Sequence, residues 1–314
     1  MRPLGIAIDI GGSHVACALV NERTVLRKAT APVREARLKP TLDGLEHAAR
    51  QLLDEEGETA SACAGVSVAF CGIVDPDSGF VRATLDGKFE DAADCDLRAW
   101  SEHAFGLPLR LENDARLALL GEWWCGAAEG FEDVVMVTIG TGIGGAAMTG
   151  GRLLVSTHRQ AGAIGGHLPV TLAGRPCLCG GHGCAEAEAS TWALPEICAE
   201  QPGFAASGLA AEPRIDFRTL FEHYDAGDRV AAAVLDHCCR VWGTLSVALV
   251  HAYDPELLLF GGSVMNRGDD LLPRIQLLID GRAWTPGRTV PIARATLAED
   301  APLYGAIPLL GLME

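Results

Sequence analysis

Three cysteines within eight residues impose the strongest local constraint on how this chain can fold. Cys177, Cys179 and Cys184 lie in a glycine-rich segment, and His167 precedes the first of them by ten residues. Thiolates and a neutral imidazole are ligands that Zn²⁺ prefers, about four at a time in a tetrahedron. Glycine adopts turn conformations at little cost, so such a segment can return three sulfurs to one point. We predict a closed structural zinc site of His167, Cys177, Cys179 and Cys184, with His182 as an alternative fourth ligand.

Composition restricts the partners of the chain. Its 314 residues are 49% hydrophobic, which is enough for two packed domains. Its 25 basic and 41 acidic residues give a net charge of −16, which opposes binding to nucleic acid or to an anionic membrane. Eleven cysteines without a regular framework suit a reducing compartment. No export signal or membrane-length apolar run is evident. We therefore expect a cytoplasmic protein with a small-molecule partner, and no nucleic-acid or membrane partner.

Glycine pairs follow three apolar segments of strand character. Taken alone, the first could be an ordinary tight hairpin, but the exposed N–H groups of such turns also suit an anion. Asp9, near the end of the first segment, can hold Mg²⁺. The first two junctions join strand to strand, so neither Walker A nor the dinucleotide fingerprint fits, and we predict a nucleotide between two hairpin tips. The junction residues are Gly11, Gly12 and Ser13 after 4–10, Gly140, Thr141, Gly142 and Gly144 after 134–139, and Gly261 and Gly262 after 257–260.

Another candidate site lies where a short strand at 109–111 gives way to a helical pattern at 115–124. Asn113 and Asp114 stand at this junction. A carboxylate there can accept the proton of a hydroxyl that attacks the γ-phosphorus of a nucleotide, while the neighbouring amide holds the acceptor. The alternative is that both residues only cap the helix.

Together these motifs resemble those of the ROK family, which contains repressors, open reading frames and sugar kinases. The resemblance runs over essentially the whole chain, and the cysteine segment is its most specific element. It implies a two-lobed α/β fold of the actin, hexokinase and heat-shock ATPase type, with ribonuclease-H-like halves, a zinc knuckle, and Mg-ATP and sugar in the cleft. It also implies a homodimer. The matching motifs are Asp9-Ile10-Gly11-Gly12, Glu112-Asn113-Asp114-Ala115, residues 139–145, the cysteine segment ending in Glu186, and Gly261-Gly262.

The resemblance also implies roles for individual residues. Asp114 would be the catalytic base, and Asn113, His167 and Glu186 would bind the sugar. Asp9 would help to position Mg²⁺, and the glycine junctions named above would bind the nucleotide phosphates. The expected lobes are 1–115, with a C-terminal helix at 302–314 packing back onto it, and 116–301, which carries the zinc.

Departures from the family pattern concern the acceptor site. Ala163 stands where many family kinases have a glutamate that bonds sugar hydroxyls, and a residue has been added before His167. A site without that carboxylate cannot select sugars by a hydrogen bond to the corresponding hydroxyl. The sequence therefore does not identify the sugar. Asp86 and Lys88, in the place of an Asn-rich sugar loop, could supply replacement contacts, or could belong to an exposed charged loop. His14 replaces a lysine that is frequent in the family.

We therefore expect an ATP-dependent, glucokinase-like kinase of a hexose or related sugar, using ATP, Mg²⁺ and structural Zn²⁺. The alternative is a non-catalytic or divergent sugar-binding or sensor protein of the same fold with an atypical ligand. A repressor would need an N-terminal helix-turn-helix, which is not expected in a chain that starts on its first strand.

Overall fold

The computed structural model divides the chain differently from the sequence-based lobes. Helix Asp114–Cys125 packs against helix Ala301–Leu309, so both belong to one unit. The predicted boundary after residue 115 therefore falls inside that unit. The structure describes residues 4–33, 37–84, 88–163 and 165–313; the first unit comprises the described residues of 4–131, 153–163 and 295–313, and the second those of 132–152 and 165–294.

The secondary structure of the described residues mixes strands and helices along the chain. The strands are β1 (Leu4–Ile10), β2 (His14–Asn21), β3 (Thr24–Pro32), β4 (Cys63–Phe70), β5 (Ile73–Asp75), β6 (Phe80–Ala83), β7 (Leu109–Asn113), β8 (Val134–Ile139), β9 (Ile143–Thr149), β10 (Arg152–Leu153), β11 (Leu257–Gly261) and β12 (Ile292–Arg294). The helices are α1 (Leu38–Glu56), α2 (Leu97–Phe105), α3 (Asp114–Cys125), α4 (Ala185–Ala189), α5 (Leu194–Ala199), α6 (Phe217–Asp225), α7 (Arg229–Tyr253), α8 (Gly268–Arg282) and α9 (Ala301–Leu309).

The two units carry five-stranded sheets with the same arrangement of strands. The first has the order β3-β2-β1-β4-β7 and the second the order β10-β9-β8-β11-β12. Each sheet contains an antiparallel hairpin, β1–β2 or β8–β9. A parallel strand pairs with the first strand of the hairpin (β4 or β11), and a second parallel strand pairs with that one (β7 or β12). The glycine turns predicted after β1 and β8 are therefore the tips of equivalent hairpins.

Strand β1 has a large-residue face and a small-residue face. Ile6, Ile8 and Ile10 join the core that contains Leu38 of α1, whereas Ala7 packs with Leu303 and its neighbours on α9. Side chains alternate across a strand, so Asp9 lies on the same face as Ala7. The carboxylate at the strand end therefore lies on the α9 side of the sheet.

Two glycines allow α3 and α9 to cross at backbone contact. A Cβ atom on Gly305 would collide with the carbonyl oxygen of Leu117, and one on Gly121 would collide with the carbonyl oxygen of Ala301. Interiors pack too densely to absorb such atoms without moving the backbone. This crossing fixes the position of α3, whose first residue is Asp114.

The C-terminal helix is shorter than the predicted 302–314. It ends at Leu309, where the N–H of Gly311 turns back to the carbonyl oxygen of Pro308 and the N–H of Leu312 to that of Ile307. Gly311 then adopts a left-handed conformation with φ 71°.

Helix α7 forms the main helical core of the second unit. By length and composition alone it could cross a membrane, but 61% of its most apolar 18-residue window is buried inside the protein. Asp228 caps its first turn by accepting from the N–H groups of Val230 and Ala231, and Asp236 and Arg240 interrupt its apolar sequence. A buried core helix passes the same test of length and composition.

We expect Gly305→Ala to lower the free energy of unfolding by about 2 to 3 kcal/mol, because its methyl group overpacks the α3–α9 crossing. Gly44→Ala is the matched control, since nothing lies within 4 Å of a Cβ at this exposed position of α1. The control should raise the free energy of unfolding by about 0.5 to 1 kcal/mol. Denaturant titrations followed by circular dichroism measure both, and equal stability of the two variants would contradict the crossing.

Candidate active site

The junction between β7 and α3 holds the carboxylate of Asp114 in a fixed orientation. Asn113 is the N-cap residue, and its Oδ1 accepts from the N–H of Arg116 at 3.2 Å. Its Nδ2 donates to Asp114 Oδ1 at 2.9 Å and to the carbonyl oxygen of Gly72 at 3.2 Å. Asp114 Oδ1 also accepts from the N–H of Ala115 at 2.8 Å. Within the described chain, both hydrogen bonds that other residues donate to this carboxylate go to Oδ1, so Oδ2 is available for a proton.

A buried ion pair supports this junction from below. Glu112 Oε1 accepts from Arg116 Nη1 at 3.1 Å and from the N–H of Asn113 at 2.9 Å. Arg116 Nη2 donates to the carbonyl oxygen of Ala161 at 2.7 Å, and its side chain is 1% exposed. The sequence analysis assigned no role to this pair, although the i, i+4 spacing of Glu112 and Arg116 could have indicated an ion pair. Both residues position the strand end that carries Asn113.

Burial raises the pKa of two carboxyl groups in the first unit. For Asp114 it raises the pKa to about 6, partly offset by the N–H of Ala115 and by the charge of Lys88. The pKa of Asp9 is raised to about 8, first by burial and then by repulsion from Asp114 and Asp300. Asp9 Oδ1 is buried and has no hydrogen-bond partner among the described residues. Carboxylate oxygens so placed suit a hard divalent cation, so Asp9 fits the predicted Mg²⁺ role.

The side chain of Lys88, which the sequence analysis assigned to the sugar, lies at the tip of the β1–β2 hairpin. The N–H of Gly11 donates to the carbonyl oxygen of His14 at 3.1 Å, which closes the turn. A Cβ on Gly12 would lie 2.5 Å from Lys88 Nζ, so this side chain crosses the hairpin tip. Ser13 is exposed, and its Oγ lies 3.1 Å from His14 Nδ1. Asp86, the other predicted sugar contact, lies outside the described residues.

The glycine junctions at 140–145 and 261–262 lie against each other in the second unit. Gly262 has φ 87°, and a Cβ there would collide with the carbonyl oxygen of Ile139. The N–H of Gly140 donates to the carbonyl oxygen of Gly142 at 2.9 Å, while Thr141 at the turn is exposed. Gly144 lies within β9, and Gly261 ends β11. The first junction, Gly11-Gly12, belongs to the first unit.

His167 and the three predicted cysteines form a cluster with the dimensions of a metal site. Their ligand atoms all lie within 4.8 Å of one another. Cys177 Sγ is 3.5 Å from His167 Nδ1, and Cys179 Sγ is 3.7 Å from Cys184 Sγ. A zinc tetrahedron with metal–sulfur bonds of about 2.3 Å has edges of about this length. His182 is exposed and is not part of the cluster, so the geometry favours His167 as the fourth ligand.

The glutamate after the cysteine segment contacts the second hairpin. Glu186 Oε2 accepts from the N–H of Ile143 at 2.8 Å, and Trp192 Nε1 lies 3.3 Å from Glu186 Oε1. Its carboxylate is buried, with the residue 4% exposed. Because α4 begins directly after Cys184, Glu186 joins the metal cluster to the glycine hairpin. This connection was not foreseen in the sequence, where Glu186 was assigned only to the sugar.

A glycine determines where the histidine ligand lies. Residues 165–167 form a short 3₁₀ turn, and a Cβ on Gly166 would collide with the carbonyl oxygen of Ile143 in β9. By contrast, a Cβ on Gly165 would meet its nearest neighbour, Gly145, at 3.5 Å, an ordinary contact. The close approach at Gly166 therefore places His167 beside the sulfurs.

Comparison with known proteins supplies the family. Residues 5–311 match the ROK family. The chain belongs to the ROK family. A glucokinase of Thermotoga maritima is 31% identical over 314 residues, covering 97% of this chain and 96% of that protein.

Solved ROK structures share the fold. The ROK hexokinase from Thermus thermophilus has a TM-score of 0.79 at 30% identity, over 98% of this chain and 97% of that one. A ROK family glucokinase from Streptomyces griseus, in complex with glucose and AMPPNP, has a TM-score of 0.80 at 28% identity, with 98% of each chain covered. The prediction of an actin/hexokinase-like α/β fold is confirmed.

We expect Gly166→Ala to lose bound zinc, because the added methyl group would push the 165–167 turn away from β9 and carry His167 out of the cluster. Gly165→Ala is the control, since its methyl group meets only ordinary contacts. Metal content after dialysis, measured by mass spectrometry, should be about one zinc per chain for the wild type and the control, and several-fold lower for Gly166→Ala. Equal zinc content in both variants would contradict this account of the turn.

Proposed function

We propose that this protein is an ATP-dependent sugar kinase that transfers the γ-phosphate to a hydroxyl of a hexose or related sugar. Family membership and the full-length similarity to a glucokinase support this proposal. The observation that carries it is Asp114, a carboxylate with one oxygen fixed by hydrogen bonds and the other available for a proton. We assign the nucleotide as ATP, since the similar Streptomyces griseus glucokinase is described with AMPPNP.

The chemical step needs one base and a well-aligned acceptor. Asp114 Oδ2 accepts the proton of the sugar hydroxyl as that oxygen forms its bond to the γ-phosphorus. The bond from the γ-phosphorus to the oxygen bridging it to the β-phosphate breaks, and ADP leaves with the bonding electron pair. The network around Asn113 holds Asp114 in place, so little reorganisation is required during transfer. The side chain of Asn113 already makes three hydrogen bonds, and we therefore assign it mainly to positioning the base. It would contact the sugar only through the remaining lone pair of its Oδ1.

The nucleotide phosphates would be bound by backbone N–H groups of the glycine junctions, such as that of Gly12 in the first unit, since the N–H groups of Gly11 and Gly140 already close their own turns. Asp9 would hold Mg²⁺, directly or through water, because its buried Oδ1 lacks a partner among the described residues. When bound, Mg²⁺ neutralises charge that develops on the phosphate oxygens. In the metal knuckle, zinc would be held by the cluster described above and would stabilise the segment that carries Glu186.

The acceptor pocket departs from the family in ways that favour a second candidate, sugar binding without turnover or with an atypical sugar. Ala163 has no carboxylate to bond the hydroxyls that a glutamate would read. Glu186, a predicted sugar ligand, has partners for both carboxylate oxygens within the second unit. Its role toward the sugar stays a prediction.

We also propose a cytoplasmic location and a homodimer. All eleven cysteines are free, which suits a reducing compartment. Leu277 of α8 and Trp284 are 73% and 81% exposed, and the homodimer would bury them if its interface includes this part of the second unit.

We expect ADP release from Mg-ATP with at least one acceptor in a panel of hexoses, N-acetylhexosamines, anhydrosugars and polyols. Asp114→Asn should reduce kcat by about 10³-fold or more, since the amide cannot accept the proton. Asp43→Asn, at an exposed position of α1, is the control and should be fully active. Saturable binding of a sugar with no turnover by the wild type would favour the second candidate.

The pH dependence of kcat/KM should show an acidic limb near pH 6. Burial raises the pKa of Asp114 to about 6, so the basic form is gained as the pH rises through that value and lost below it. We expect the rate to fall about tenfold per pH unit well below this limb. Initial rates at saturating Mg-ATP and subsaturating sugar measure it, and a limb near pH 4 would show that the carboxyl is not desolvated.

A further inference from the structure

Lys88 differs from the other lysines of the chain in its surroundings. The sequence contains only three lysines, at positions 28, 39 and 88. Lys28 forms an ion pair with Asp300 at 2.6 Å, and Lys39 is exposed on α1. Lys88 is half-buried and has no hydrogen-bond or ion-pair partner among the described residues. A half-buried ammonium group to which none of the described residues binds has hydrogen-bonding capacity for a ligand.

The side chain of Lys88 lies directly against the hairpin tip. A Cβ on Gly12 would be 2.5 Å from Lys88 Nζ, 2.9 Å from its Cε and 3.3 Å from its Cδ. Any residue other than glycine at position 12 would therefore displace the lysine. The tip contains no lysine or arginine of its own, since residues 11–14 are Gly, Gly, Ser and His. Lys88 thus brings the positive charge that this turn lacks.

Lys88 also acts on the catalytic carboxylate at a distance. Its charge lowers the pKa of Asp114, although the two do not form a direct ion pair. The thiol of Cys71 also experiences the charges of Lys88, Asp114 and Asp9, so all three lie within electrostatic range of this one side chain. The ammonium group therefore lies at the phosphate-binding hairpin and within electrostatic reach of the base.

We propose that Lys88 is a catalytic residue that donates hydrogen bonds to the γ-phosphoryl group during its transfer, rather than a sugar ligand. The inference rests on the proposed kinase function. The transferred group carries negative charge on its three peripheral oxygens, and Asp9 and Asp114 add carboxylates nearby, so a fixed cation lowers the barrier by stabilising charge. The lysine keeps its proton throughout and forms no covalent bond.

Kinetics of Lys88→Met test the proposal, because methionine keeps much of the side-chain volume but removes the charge. We expect kcat to fall by about 10²- to 10³-fold with the KM for sugar changed less than threefold. Lys88→Arg should recover part of the loss, whereas Lys39→Met is the control and should match the wild type. A rise in the KM for sugar at unchanged kcat would overturn the proposal in favour of a sugar contact, and an unaltered Lys88→Met would overturn it outright.

Nucleotide binding separates this inference from the proposed function. By calorimetry without sugar, Lys88→Met should bind Mg-ATP about tenfold more weakly than the wild type and bind Mg-ADP equally well, since only ATP has a γ-phosphate. This difference would support Lys88 even if no acceptor were phosphorylated. If the variant bound both nucleotides more weakly by the same factor, or bound both as tightly as the wild type, the inference would be overturned. Sugar-kinase activity would still be judged by turnover.

Lysine acylation of the wild type gives a test that needs no variant. With only three lysines, mass spectrometry can follow each one separately. Mg-ATP should slow acylation of Lys88 several-fold more than Mg-ADP or sugar alone does, and should leave Lys39 unchanged. Protection of Lys88 by sugar but not by Mg-ATP would contradict the proposal.

Discussion

The side-chain amide of Asn113 is the interaction on which the candidate site of the first unit depends. Its oxygen caps α3, while its nitrogen bonds both the carboxylate of Asp114 and the backbone of Gly72. One side chain thus connects a strand end, a helix start and a loop to Asp114, the proposed base. The alternatives considered for this junction, helix cap and functional residue, are therefore not exclusive: the cap is what holds the carboxylate still. The glycine crossing of α3 and α9 fixes the helix itself, so that the orientation of Asp114 follows from both.

Buried negative charge is the reason why we expect cations at the proposed site. Asp9 and Asp114 are both desolvated, and Asp9 also experiences the charge of Asp300. Burial raises the pKa of both groups, and repulsion from Asp114 and Asp300 raises that of Asp9 further. Mg²⁺ at Asp9 and the ammonium group of Lys88 would supply a counter-charge. In a chain with a net charge of −16, a polyphosphate substrate must rely on such local cations rather than on the overall field.

The second unit couples its metal cluster to its glycine hairpin through short segments. Gly166 packs against the carbonyl oxygen of Ile143, and Glu186 accepts from the N–H of the same residue. The turn that carries His167 and the carboxylate of Glu186 thus both contact Ile143 of β9. Disturbing the cluster is therefore expected to loosen the hairpin, because a metal and the groups around its ligands stabilise each other.

Local patterns in the sequence predicted the hairpins, the cluster of candidate metal ligands and the strand-to-helix junction at Asp114, because turns, ligand spacing and capping act over a few residues. They did not determine which groups distant in the chain would meet. The choice of His167 over His182, the contact of Glu186 with Ile143, and the arrival of Lys88 at Gly12 depend on how turns pack against strands. The assignment of α3 to the first unit likewise followed from its packing against α9. Sequence fixes the local conformations, whereas burial and close packing in the tertiary structure select the partners of each side chain.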